Sequence, residues 1–285
     1  VRPIIGCEVY VAPRSRFLKE GKSDSSGYHL VLLCKDEVGY RNLITLVSAS
    51  FTEGFYSKPR IDMELLERHH EGLVALSACL AGYIPRMILL GNMKGAEEYA
   101  LRMREIFGED FYLEIQDHGI ADEATVASAL ISLSEKTGIP LVATNDVHYI
   151  KRTDADIQAT MMCIQTNSVI TDGRPLGFET DEFYYKSTDE MATLFSHVKG
   201  AMENTVRIAE KCNFSFTFGE VHMPSFPIPD GMTHGALLAK HTEEGFRARI
   251  ARGQIDFSCG TEEAYRRGSR TSFRSSAIWA STATS

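Results

Sequence analysis

Short apolar runs alternate with amphipathic segments along the first half of the chain, and this alternation limits the folds that the sequence can form. The runs have the length of strands, and the segments between them place apolar residues at helical spacing. Strands that alternate with helices predict parallel βαβ units, and therefore an α/β barrel or a doubly wound sheet. The predicted strands are residues 4–11, 28–34, 72–77, 111–116 and 141–149, and the predicted helices follow Asp36 and Asp62 or span 84–90, 94–107 and 122–136.

Charge and cysteine content narrow the class of protein. The formal net charge of −8 argues against a protein that coats nucleic acid through bulk positive charge, although a local basic groove remains compatible with it. The six cysteines form no CxxC pair, which is typical of a reducing compartment. The sequence has no apolar run of about 18 residues and no signal-peptide pattern. A cytoplasmic protein is therefore expected.

Polar side chains of metal-binding types stand at the ends of the predicted strands. Glu8 follows the first apolar run, His29 begins the second, Cys79 follows the third, and Asp146 and His148 end the last. In a parallel barrel the loops after the strand ends share one face, so these side chains are expected to gather there. Such a mixture of hard and soft donors predicts a zinc or manganese site. Carboxylates that bridge neighbouring ions would favour more than one metal, and with it phosphoester hydrolysis.

Each of these residues also has a purely structural interpretation. Cys79 is, taken alone, more typical of a small buried hydrophobic residue than of a ligand, and His29 is compatible with a hydrogen-bonded core histidine. Glu8 is harder to explain in this way, because a buried carboxylate without a partner is costly. His118 follows the fourth predicted strand and is a further candidate neighbour of the site.

Several ordered motifs point to one family. They are IIGCEVYV at 4–11, YHLVLL at 28–33, GYRNL at 39–43, ALSACLAG at 75–82, ATNDVHY at 143–149 and MPSFPIPDG at 223–231. Together they resemble the polymerase-and-histidinol-phosphatase (PHP) domain, and more narrowly the PHP domain of bacterial replicative DNA polymerases. The resemblance covers roughly residues 1 to 250.

The resemblance implies a distorted (β/α)7 barrel with a multinuclear metal cluster at one end. Glu8, His29, Cys79, Asp146 and His148 would fall on ligand positions, with zinc or manganese as the ion. By this resemblance, the domain is expected to act as a zinc-dependent 3′–5′ proofreading exonuclease in family members that keep the metals, and to serve as a scaffold elsewhere. The parent protein would be a template-directed DNA polymerase that uses deoxynucleoside triphosphates and magnesium. Its partners would be primer-template DNA, a sliding clamp, a clamp loader and a proofreading subunit.

Some family features are absent from the sequence. An opening His-x-His strand and a Thr-Asp-His-Gly segment would lie upstream of Val1, so an incomplete barrel and incomplete metal binding are expected. The polymerase palm is also absent, so nucleotidyl transfer is not expected from this chain alone. The predicted organisation is a PHP domain at 1–222, a proline-rich linker at 223–231, the start of a helical thumb at 232–252, and a disordered or non-native tail at 253–285.

Two other functions remain open from the sequence. One is a free-standing PHP phosphoesterase that acts on a small phosphate ester. The proline-rich exit and the helix after it count against this interpretation. The other is a metal-free scaffold that only binds replication partners, and the retained ligand types count against it.

Overall fold

The structure, a computed structural model, describes residues 2–169, 178–221, 226–269 and 271–272. The chain divides into two compact units, Val1–Phe216 and Thr217–Ser285. All predicted site residues belong to the first unit. Within the described ranges, no helix is both long and apolar enough to cross a membrane.

The first unit is built around a sheet of six strands. They are β1 (Gly6–Val11), β2 (Tyr28–Cys34), β3 (Arg60–Ile61), β4 (Leu73–Leu76), β5 (Phe111–Ile115) and β6 (Leu141–Ala143). The order across the sheet is β3-β1-β2-β4-β5-β6. β2 is antiparallel to both of its neighbours, whereas the remaining pairs are parallel. Five strands therefore run in one direction and β2 runs in the other.

Helices connect these strands, and their beginnings follow local capping chemistry. The Asp36 carboxylate accepts a hydrogen bond from the Gly39 backbone N–H at 2.9 Å, and Asp62 accepts one from the Leu65 N–H at 3.1 Å. Asp36 and Asp62, which the predicted helices follow, therefore act as N-caps of these helices. The helices of the first unit are α1 (Gly21–Ser25), α2 (Glu37–Thr52), α3 (Met63–Arg68), α4 (Tyr83–Leu89), α5 (Met93–Phe107), α6 (Ala121–Thr137), α7 (Ala155–Thr166), α8 (Thr188–Phe195) and α9 (Ala201–Lys211).

The two faces of the sheet bury different sets of side chains. One face supplies Val9, Leu30, Leu32 and Leu113 to the larger core, which includes residues of α2, α5 and α6. The opposite face carries a smaller apolar cluster in which strand residues meet Ile208 and Cys212 near the end of α9; its strand members are Val31, Leu33, Val74, Leu76, Tyr112 and Val142. Because side chains alternate along a strand, polar residues near one end of the strands also lie on this second face of the sheet.

The predicted α/β class is confirmed, with two differences in detail. The described strands form a hydrogen-bonded sheet that does not close on itself, with β3 and β6 at its edges. The expectation that all strands are parallel is wrong for β2, because apolar periodicity contains no information on strand direction. Beyond β6, Tyr149 and Tyr184 form an isolated parallel bridge.

One buried arginine organises the long connection from β1 to β2. Arg60 is fully buried, and its guanidinium donates hydrogen bonds to the carbonyl oxygens of Gly54 at 3.0 Å, Leu18 at 3.0 Å and Arg16 at 3.1 Å, as well as to that of Asp24. A fixed fork of donors can satisfy several carbonyl groups at once. The connection is therefore folded around one side chain.

The second unit contains α10 (His234–Ala251), which Thr233 caps by accepting from the Ala236 N–H at 3.2 Å. Residues 262–269 are also helical. Within this unit Arg266 forms ion pairs with Glu243 and Glu262. Residue 222 of the predicted PHP domain, residues 223–225 of the predicted linker, and residues 270 and 273–285 of the predicted tail lie outside the described residues.

Candidate metal centre

Strand register brings Glu8 and His29 together. In the antiparallel ladder, Glu8 lies opposite Val31 and Tyr10 lies opposite His29, so Glu8 and His29 are diagonal neighbours on the same face of the sheet. The His29 Nδ1 atom lies 2.8 Å from the Glu8 Oε1 atom. Because β2 runs against the other strands, its first residues lie at the same edge as the carboxyl ends of β1 and β4. This explains why a histidine that begins a strand joins residues that follow strands.

A tight turn after β4 adds Cys79 to this pair. Ala78 adopts a left-handed φ of 62°, and the Gly82 N–H donates to the Cys79 carbonyl at 2.8 Å. A Cβ atom on Gly82 would lie 2.2 Å from the Ser77 carbonyl oxygen, so this position requires glycine. The turn also accepts the His29 backbone N–H at the Ala81 carbonyl, 3.1 Å away. The Cys79 Sγ atom lies 3.8 Å from the His29 Nδ1 atom.

Glu8, His29 and Cys79 form a compact donor cluster, which we call the three-donor cluster. One oxygen, one nitrogen and one sulfur atom all lie within 4.8 Å of one another. With metal–donor bonds of about 2.0 to 2.3 Å and tetrahedral angles, ligand atoms on one zinc ion are about 3.3 to 3.7 Å apart. The observed spacings of 2.8 and 3.8 Å bracket this range. Among the described residues, the chemistry and spacing of this cluster are therefore compatible with binding one metal ion.

Asp146 and His148 form a second pair outside that cluster. β6 ends at Ala143, whereas the predicted strand reached residue 149, so Asp146 and His148 lie beyond the strand and are not placed by strand alternation. Asp146 instead has a left-handed φ of 41°, which aspartate tolerates better than most residues. The His148 Nε2 atom lies 3.5 Å from the Asp146 Oδ1 atom. The rings of Phe178 and Phe183 pack against His148.

The three-donor cluster and the Asp146–His148 pair shift each other's pKa values through their charges. Burial raises the pKa of the Cys79 thiol to about 12, and the negative charges of Asp146 and Glu8 contribute to this increase. Burial alone would raise the pKa of Asp146, but the hydrogen bond from His148 and the nearby histidines lower it below its ordinary value. The Cys79 thiol would therefore have to lose its proton before its sulfur could bind a metal ion.

Glu114 is a buried carboxyl beside the centre that sequence reasoning missed. It lies on β5, is 5 % exposed, and accepts hydrogen bonds at Oε1 from Thr144 at 2.5 Å and Gln116 at 3.1 Å. Its Oε2 atom has no hydrogen-bond partner among the described residues. Burial raises the pKa of Glu114 to about 7, and the charge of Asp146 adds to this. A glutamate inside the apolar run Phe111–Ile115 was the available signal.

His118 lies below the surface at the end of the same strand. Its side chain is fully buried, with Nδ1 2.7 Å from Glu123 Oε1 and Nε2 2.8 Å from the Asn145 carbonyl oxygen. Its ring stacks on that of Phe183 at a centroid distance of 3.9 Å. With both ring nitrogens hydrogen-bonded to protein, His118 contacts the segment that carries Asp146 and does not itself present a free nitrogen to the three-donor cluster.

Comparison with known proteins gives a consistent assignment. Residues 1–118, which contain the three-donor cluster, match the family model of the PHP domain. The chain therefore carries a PHP domain, a class of domain that generally binds metal. The match ends before Asp146 and His148.

Similarity to longer proteins extends well beyond residue 118. The chain is 47 % identical over 254 residues to the DNA polymerase III subunit alpha of Borreliella burgdorferi, covering 87 % of this chain and 22 % of that protein. It is 48 % identical over 243 residues to that of Treponema pallidum (85 % and 21 %), and 41 % identical over 257 residues to that of Thermus aquaticus (87 % and 21 %). The chain belongs to the DNA polymerase III alpha subunit family and spans about a fifth of the length of these relatives. The family resemblance predicted from the motifs is confirmed.

Proposed function

We propose that this chain is the PHP-containing part of a replicative DNA polymerase. The parent would synthesise DNA on a primer-template from deoxynucleoside triphosphates with magnesium, in the cytoplasm. Its partners would be a sliding clamp, a clamp loader and a proofreading subunit. Identities of 41 to 48 % over at least 85 % of the chain support this proposal.

Within that parent, this chain would act as a metal-binding module. The three-donor cluster is the observation that carries the proposal, because an imidazole, a thiol and a carboxylate converge within 4.8 Å. Nitrogen and sulfur donors favour zinc, whereas the carboxylates are also compatible with manganese. Asp146 and His148 would hold a second position next to the first. The domain boundaries at 222 and 231 and the thumb at 232–252 belong to the same proposal.

The chain's own residues prepare this site for a cation. Glu8 lies within hydrogen-bond distance of His29 Nδ1, so this contact must give way when the nitrogen binds metal. Cys79 must release its proton, and the lowered pKa of Asp146 keeps that carboxylate charged at neutral pH. When bound, zinc or manganese would supply Lewis acidity toward a phosphoester. The corresponding activity would be 3′–5′ exonuclease cleavage of DNA.

A metal-free or purely structural scaffold is the second candidate. The open sheet edge at β6 and the absence of a complete barrel among the described residues favour it. A free-standing PHP phosphoesterase is less well supported, because similarity to the polymerase subunits covers most of the chain rather than the PHP match alone.

Metal analysis separates these functions. The full chain would be purified, loaded with zinc or manganese, dialysed, and measured by elemental analysis beside Cys79→Ala. Cys259→Ala is the matched control, because Cys259 is an exposed thiol of the second unit. We expect at least one ion per chain in the wild type and in the control, and a large loss in Cys79→Ala. Equal metal content in all three proteins would refute the proposed cluster.

Activity then separates the hydrolytic module from the scaffold. The metal-loaded chain would be incubated with single-stranded DNA labelled at its 5′ end, and shortening from the 3′ end would be followed on a gel. Cleavage that is lost in Asp146→Ala and retained in Glu135→Ala, an exposed carboxylate on α6, would support hydrolysis. Stoichiometric metal without any cleavage would leave a structural metal site.

A further inference from the structure

His118 makes hydrogen bonds that the metal-binding proposal does not use. The imidazole is fully enclosed, and Glu123, which is 6 % exposed at its side chain, binds it from one side. The two carboxylate oxygens of Glu123 have separate tasks: Oε1 faces the ring Nδ1 at 2.7 Å, and Oε2 accepts the His118 backbone N–H at 2.7 Å. Glu123 lies in the first turn of α6, so a helix holds this partner in place.

Both ring nitrogens face acceptors. The Asn145 carbonyl can only accept, so the Nε2 atom 2.8 Å away must carry a hydrogen. The carboxylate of Glu123 accepts in the same way at Nδ1. An imidazole that donates from both nitrogens is an imidazolium, and its buried positive charge is compensated by the Glu123 carboxylate. Burial would lower the pKa of His118, but the bonds to Glu123 and Asn145 raise it above its ordinary value.

The carbonyl that His118 holds is next to the metal centre. The Asn145 C=O shares a rigid peptide plane with the Asp146 N–H, so fixing the carbonyl also fixes the plane from which φ of Asp146 is measured. That φ is 41°, which carries a conformational cost even for aspartate and is therefore stabilised by contacts such as this one. The Asn145 side chain is held as well, by the Lys186 ammonium at 3.0 Å and by the Tyr184 carbonyl.

The same contacts reach His148. The Phe183 ring stacks on His118 at 3.9 Å and meets the His148 ring edge to face at 5.6 Å. The Phe183 carbonyl accepts the His148 backbone N–H at 2.9 Å. His118 and Phe183 together therefore support the backbone on both sides of Asp146.

We propose that His118 is a positioning residue of the metal centre: as a buried imidazolium held by Glu123, it fixes the Asn145 carbonyl and thereby aims Asp146 and His148. The inference rests on the proposed metal binding for its function, but its geometry can be tested without metal. It also differs from the sequence-based expectation, in which His118 was a possible direct neighbour of the ion. A histidine that acts through another residue should affect metal affinity without being a ligand.

The charge state of His118 is the first test and needs a substitution only to assign the signal. Nitrogen-15 NMR of the histidine side chains in the metal-free chain at pH 7 reports whether each ring nitrogen carries a hydrogen. We expect two protonated nitrogens in the signal that disappears in His118→Gln. A neutral ring with an unprotonated Nε2 would overturn the proposal.

Substitutions then test positioning. His118→Phe keeps a stacking ring but removes both side-chain hydrogen bonds, and we expect zinc affinity to fall about 10- to 100-fold. The double variant His118→Gln with Glu123→Gln can rebuild the chain of donors without charge. In it, the new amide at position 123 accepts the backbone N–H of position 118 and donates to the new side-chain amide there, which in turn donates to the Asn145 carbonyl. We expect this variant to recover most of the affinity. His197→Phe, at an exposed histidine, is the control.

Hydrogen exchange separates this inference from the proposed function. In metal-free protein, the backbone N–H groups of 145–148 should exchange faster in His118→Phe than in the wild type, while those of β1 and α2 should not change. If the wild type binds no metal but this exchange pattern holds, metal binding fails and positioning stands. If His118→Phe binds zinc as the wild type does and exchanges at the same rate, the positioning inference is overturned. Should His118→Phe not fold, the double variant and the NMR measurement decide in the same way.

Discussion

The Glu114 carboxyl should make the stability of this protein depend on pH. Its pKa rises from an ordinary value of 4.5 to about 7 because it is buried. A carboxyl that is neutral in the folded chain and ionised in the unfolded chain stabilises the fold fully below pH 4.5, and this stability is lost as pH rises toward 7. At about 1.36 kcal/mol per pH unit, the loss is about 3 kcal/mol, of which about 2.5 kcal/mol falls between about pH 5 and pH 8.

Glu114→Gln isolates this effect, because the amide has a similar shape and does not ionise. The free energy of unfolding would be measured from guanidinium chloride titrations followed by circular dichroism, at about pH 5 and pH 8, with a chelator present. From about pH 5 to pH 8, the free energy of unfolding of the variant should rise by about 2.5 kcal/mol relative to that of the wild type. Glu135→Gln, at an exposed position, should track the wild type.

A stability difference that does not change with pH would contradict a protonated Glu114. If the free energies of unfolding of Glu114→Gln and the wild type differ by the same amount at both pH values, Glu114 does not hold its proton in the folded chain. The unpartnered Oε2 atom would then have to be matched by a group that stabilises the charged form. The electrostatic interactions described for Asp146 and Cys79 would need revision as well.

Three further predictions concern packing and metal. Arg60→Leu leaves buried carbonyl groups without donors and should lower the free energy of unfolding by about 3 to 5 kcal/mol. The control Arg102→Leu removes an exposed ion pair and should lower it by less than about 1 kcal/mol. Equal losses in the two variants would contradict the role of Arg60. Gly39→Ala places a Cβ atom 1.9 Å from the Gly72 carbonyl oxygen and should lower Tm. Gly245→Ala, where α10 leaves open space for a Cβ atom, should not lower Tm. An unchanged Tm in Gly39→Ala would argue against the close approach of Gly39 to Gly72. Zinc at about 100 times its Kd should raise the wild-type Tm by about 5 to 10 °C, and Cys79→Ala should remove the increase; an identical increase in that variant would place the ion elsewhere.

Local chemistry made much of the fold predictable. Asp36 and Asp62 were identified as helix caps because an acidic side chain before an amphipathic segment satisfies free N–H groups. Five of the six strands were found from apolar runs, whereas the two-residue strand β3 was missed and the reversed direction of β2 was not predicted. The direction of β2 depends on which strands it pairs with, and this pairing is decided by tertiary packing rather than by the residues of β2.

The same division applies to the site. Glu8, His29 and Cys79 were selected by residue type at strand ends, and the structure brings these three together. The arrangement of Asp146 and His148 was not predictable from strand alternation, since it depends on a left-handed residue and on hydrogen bonds to distant positions. Glu114 was overlooked because a single glutamate in an apolar run does not reveal whether it finds a partner.

The connection from β1 to β2 offers a place to attach something new to this protein. The positions of Glu8 and His29 follow from strand register, not from the length of the chain between them. Arg60 binds the carbonyl oxygens of Leu18 and Asp24, and the Asp24 carboxylate binds Arg14. Gly21, Lys22 and Ser23, which lie between Leu18 and Asp24 in the sequence, are exposed. A fluorescent label on the Lys22 side chain would therefore project into solvent while the donor atoms keep their spacing. Such a label would leave the three-donor cluster unobstructed.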